Sequence, residues 1–85
     1  MATLPSGNAG TTVGVTSGHG AGSVALNTLT NYPTGKTILA VIPQDCTYTS
    51  ANYVKGIIRI SSGNVLVYGR PGFEYSFSVV VLYLN

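Results

Sequence analysis

Thr34-Gly35-Lys36-Thr37 has the letters that end a phosphate-binding loop. That chemistry needs a glycine five residues before the Gly-Lys pair, a strand before the loop and a helix after it, so that backbone N–H groups converge on phosphate. The required position holds Thr30, and the apolar ILAVIP that follows reads as a strand, so the stretch is expected to be a turn entering that strand. Gly18-His19-Gly20-Ala21-Gly22 sets its glycines at every second position, unlike a nucleotide-binding G-x-G-x-x-G, and reads as an extended connector. His19 is the only histidine, too few for a metal site within one chain; only copies meeting on a symmetry axis could supply more. Cys46 is the only cysteine and follows Asp45, whereas a reactive thiol needs a base and an electropositive setting, so a small core residue is expected. Asp45 and Glu74 are the only carboxylates, and nothing in the sequence pairs them for glycoside hydrolysis. The expectation is a non-enzymatic protein with no catalytic residue, metal or cofactor.

The six tyrosines carry more information. Tyr32, Tyr48 and Tyr53 fall near turns or strand ends among Asn, Thr and Ser. A tyrosine ring offers broad, stiff contact area, and small polar neighbours offer adaptable hydrogen bonds, a combination suited to recognising a polyhydroxylated surface. The same rings could instead cap the edge of a core. The candidate recognition set is Tyr48, Thr49, Asn52, Tyr53 and Arg70.

Those side chains have to be held by strands. Val, Ile, Thr and Tyr dominate, and no apolar pattern at helical spacing is convincing; the best helical window, 25–29, is short. Strands are expected over 11–17, 22–29, 36–43, 53–60, 64–69 and 73–84, with 36–43 apolar enough to be buried on both faces. Turns are expected at 31–35, 42–46, 61–64 and 69–72, the last placing Pro71 and Gly72 at the two centres of a type II turn. Segments 53–60, 64–69 and 73–84 then read as an antiparallel meander. The fold class is all-β, a small antiparallel sandwich or barrel over 25–85, with a Gly/Ser/Thr-rich extended arm over 1–24 that becomes ordered by lying on a neighbour.

Composition narrows the setting. Charged residues make up 7% of the 85, far below an average soluble domain, so polarity comes from Ser, Thr, Asn and Gly. The surface of a free monomer is normally studded with both signs of charge; this chain suits a subunit whose surface is taken up by neighbours. The net charge of +2 comes from dispersed residues, not the basic stripe of a nucleic-acid binder. No apolar run approaches a membrane span, and residues 1–24 lack the pattern of a signal peptide. On the last strand, Tyr75, Phe77, Val79, Val81 and Tyr83 form one face, while Val80, Leu82 and Leu84 make the end of the other face apolar too. A homo-oligomer interface at Val80, Leu82 and Leu84 is the economical cover, because such interfaces resemble a core cut in half; the alternative is the N-terminal arm folded over that face, in the same chain or in a neighbour.

The segments KTILAVIPQDCTYTSANYV, GIIRISSGNVLVYG and FSVVVLYLN together resemble the C-terminal head of a bacteriophage tail fibre or receptor-binding protein. The resemblance covers about residues 25–85 and implies a homotrimer in a virion, in contact with other virion proteins and with a host cell-surface glycan, with no nucleic acid bound and no membrane insertion. A short β-protein with an extended arm also resembles capsid decoration proteins, which cement the outside of a head. A free carbohydrate-binding module is the third reading.

Overall fold

The computed structural model describes residues 11–84. Seven strands follow one another: β1 (Thr11–Gly20), β2 (Gly22–Ala25), β3 (Thr37–Tyr48), β4 (Ala51–Lys55), β5 (Ile57–Ser61), β6 (Asn64–Tyr68) and β7 (Tyr75–Leu84). They form two antiparallel sheets, ordered β1-β7-β3-β4 and β2-β6-β5. The only helical element among the described residues is a 3-10 turn, Leu26–Thr28, inside the short helical window. The described residues form an all-β domain, as the wealth of Val, Ile, Thr and Tyr favours.

β7 lies between β1 and β3 and alternates cleanly. Tyr75, Phe77, Val79 and Val81 are buried and join Val65 and Val67 of β6, Ile58 of β5, and Leu26 and Leu29 in one core. Burying a large apolar side chain is worth about 1.5–3 kcal/mol, so this single face of β7 contributes several kcal/mol to stability. The β5–β6 hairpin closes through Ser62 and Gly63, both at positive φ (50° and 79°), which is the type I′ geometry that matches strand twist.

The two glycines that change sheets are specific. Between β4 in the first sheet and β5 in the second, a Cβ on Gly56 would lie 2.9 Å from the Tyr75 ring and 3.0 Å from the Cys46 sulfur. After β6, a Cβ on Gly69 would land in the Tyr75 ring. The chain returns to the first sheet through Arg70-Pro71-Gly72-Phe73, with Gly72 at φ 80° and the Phe73 N–H donating to the Arg70 carbonyl at 3.1 Å. This is the expected type II turn. The Tyr75 hydroxyl accepts the Arg70 N–H at 2.9 Å and ties the corner shut.

Three expectations need correction. The meander does not form: β5 and β6 make a hairpin, but β7 pairs with β1 and β3 in the other sheet. Its N-terminal segment also breaks at Gly56, which divides 53–60 between the two sheets. Residues 42–46 are not a turn, since β3 runs through them with register shifts at Ile38/Ala40 and Pro43/Asp45. Pro43 is tolerated because β4 pairs only with Thr47 and Tyr48, leaving β3 without a partner on that side at Pro43 among the described residues. Segment 36–43 is not buried on both faces of this chain, as Leu39 is 48% and Ile42 50% exposed. Of the expected arm, residues 11–20 and 22–24 lie in β1 and β2, with Thr11–Gly20 paired along β7 of the same chain; residues 1–10 are outside the described residues.

Candidate functional site

Two surfaces gather the residues singled out by sequence. The first is the outer face of the four-stranded sheet. Val80, Leu82 and Leu84 alternate with the core residues of β7 and point away from the core, half-buried between their neighbours. Register puts Val15 and Ile42 on either side of Val80, and Val13 and Ala40 on either side of Leu82. Paired residues in an antiparallel ladder share a face, so these side chains form an apolar patch across three strands. Its flanks are open to solvent: Val13 is 58% exposed, Val15 56% and Ile42 50%. The face turns polar along β7, where Ser76 and Ser78 lie between Ser17 and His19 of β1 and Asp45 and Thr47 of β3. Asp45 faces Lys55 at 4.0 Å, both well exposed, a pair that contributes little to stability.

Sequence reading found the middle of this patch and missed its sides. The alternation of Val13 and Val15 in TTVGVTS was visible, but their place beside β7 was not, because the pairing spans most of the chain.

The second surface is at the Tyr48 end. The Tyr48 ring stacks on Phe73 with centroids 4.2 Å apart and an interplanar angle of 21°, and it leans on Tyr75 at 6.0 Å. Thr49 donates both its N–H and its hydroxyl to the Glu74 carbonyl, each at 3.1 Å. The Arg70 guanidinium stands over the Phe73 ring at 5.8 Å. Tyr48, Thr49 and Arg70 are therefore brought together by Phe73 and Glu74, two residues outside the candidate recognition set. Asn52 and Tyr53 sit apart from this cluster, in β4, where the register with β3 jumps from Thr47↔Lys55 to Tyr48↔Ala51. The jump leaves 52–54 without partners in that ladder, and Tyr53 is 83% exposed. Tyr48 has given one ring face to packing, whereas Tyr53 and the Arg70 side chain are open to a partner.

Cys46 is buried in the core, as expected for a small core residue. Burial pushes its thiol pKa up, a backbone hydrogen bond from Gly56 works against that, and the Asp45 charge adds to the rise. A neutral thiol results, the opposite of a thiolate nucleophile. A cavity of about 310 Å³ opens beside it, between residues 43–46 and 55–58, and one of about 120 Å³ lies beside Arg70 and Phe73. Both are at or below the small end of the range for ligand pockets. Among the described residues, no three His, Cys, Asp or Glu side chains form a metal-holding group. No protein-family model, curated protein or solved structure matches the chain.

Proposed function

We propose that the chain is a non-enzymatic structural subunit of a virion, a trimeric tail-fibre or tail-tip knob that attaches the particle to a host-surface glycan. The observation that carries the proposal is the apolar patch of Val13, Val15, Ala40, Ile42, Val80 and Leu82 on the outer face of the sheet. Free soluble chains rarely leave a contiguous apolar surface of this kind open. Covering it with neighbouring copies also accounts for the scarcity of charge. The threefold symmetry and the virion setting come from the resemblance of residues 25–85 to tail-fibre heads.

In this reading recognition belongs to Tyr53, Asn52 and Arg70, supported by the Tyr48–Phe73 stack and Thr49. Each contact with a sugar is weak, but three copies on a knob and many knobs on a particle raise avidity without new contacts. Immunogold electron microscopy of the particles released by cells that make the chain tests the assignment. Label at the tail tip is the expected result. Label over the head surface would replace attachment with capsid decoration, and absence from every particle would end the virion reading.

A further inference from the structure

Every open sheet has two edges, and an edge strand turns the N–H and C=O groups of alternate residues toward solvent, ready to pair with another strand. Edges are normally blunted by short length, charge, proline or bulges. Most edges of this molecule are blunted in these ways. β2 has only four residues. β5 carries Arg59 in a strand of five. β4 carries Lys55 and the register jump, and the open stretch of β3 carries Pro43 and two register shifts.

β1 is the exception. It is ten residues long, TTVGVTSGHG, with no Lys, Arg, Asp, Glu or Pro, and its register with β7 runs without a break. Among the described residues no strand pairs with its other side. Val13 and Val15 stand at this margin, more than half exposed, at the border of the outer-face patch.

We propose that the free edge of β1 is a self-pairing site: β1 of a second copy adds antiparallel across a twofold axis and joins the two four-stranded sheets into one. The edge is complementary to itself. It carries no fixed like charge to repel its copy, and its valines alternate with Gly, Thr and Ser that leave room beside them. An axis normal to the sheet keeps outer face with outer face, so Val13 and Val15 of both copies come together and the two apolar patches become continuous. The inference goes beyond the proposed function, since it concerns the edge of the sheet: where the outer face makes a trimer, the twofold contact joins two trimers, and it would hold for a decoration protein or a knob alike.

Amide hydrogen exchange on the full chain by NMR, over a dilution series with the mass measured in parallel, tests it. An unpaired edge leaves alternate amides of 13–19 exchanging freely. Self-pairing slows that set by roughly a hundredfold or more, and the slowing fades on dilution in step with dissociation. In a sample mixing labelled and unlabelled chains, intermolecular contacts should run from β1 to β1. Free exchange of the set in the assembled protein would overturn the proposal, as would a chain monomeric at every concentration. Protection that persists in a monomer would mean that the chain covers its own edge, and contacts from β1 to a different strand would mean a different partner; either result overturns it too.

Discussion

At the scale of residues, Tyr75 organises the end where the chain changes sheets. Its ring fills the space that side chains on Gly56 and Gly69 would need, and its hydroxyl takes the Arg70 N–H. Tyr75→Phe keeps the ring and removes the acceptor, so denaturant unfolding should show a loss of about 1 kcal/mol. Thr16 gives the reverse case: it is buried opposite Val79, and its hydroxyl has no hydrogen-bond partner among the described residues. Thr16→Val removes an unsatisfied polar group at nearly constant volume and should raise stability by about 1 kcal/mol in the same assay. Cys46 supplies a pH dependence. Its pKa in the folded chain is raised above the ordinary 9.0, chiefly by burial, so the unfolded chain releases the proton first. Its contribution is fully present below about pH 9 and is lost as the pH climbs through the folded value. Stability measured at about pH 8 and at about pH 10 should fall further in the natural chain than in Cys46→Ala; equal falls would mean that the thiol is not shielded from water. The inward set of the last strand and the core role of Cys46 could be read from alternation and isolation in the sequence. The partners of Tyr75 could not, because Gly56 and Gly69 take their meaning from a ring that reaches them only in three dimensions.

At the scale of elements, the two turns with the strongest backbone preference were legible in the sequence, whereas the turn expected at 42–46 is strand. Ser62-Gly63 and Pro71-Gly72 fix their turns by backbone preference alone, and both turns are present. Pairing between distant strands has no such local signature. β7 resembles the third strand of a meander until the corner at 69–72 carries it to the other sheet, where its neighbours are β1 and β3. Pro43 resembles a breaker until β3 is seen to lack a partner beside it. Ser62 sits at φ 50°, a conformation that asparagine adopts more readily than serine. Ser62→Asn should therefore stabilise the hairpin by roughly 0.5 kcal/mol, seen as a higher denaturation midpoint with an unchanged slope; a lower midpoint would mean that the serine serves some other need.

At the scale of the whole molecule, the open question is what covers the apolar patch on the outer face. The inner face of β7 makes the core of the chain, and the outer face, at Val80 with Val15 and Ile42 beside it, is apolar without a cover within the described residues. The two-faced character of the last strand was legible in Val80, Leu82 and Leu84; the full width of the patch needed the register of three strands. Solution mass, measured by light scattering or sedimentation on the natural chain and on Val80→Asp, is the most direct test that this face joins copies. The natural chain should have three times the 8.8 kDa mass of one subunit, or six times where β1 edges join two trimers. The variant, forced to bury an unpaired charge on assembly, should lose several kcal/mol of association free energy and run as a monomer or unfold. A natural chain that runs as a stable monomer, or a Val80→Asp variant with unchanged mass and melting, would contradict the account.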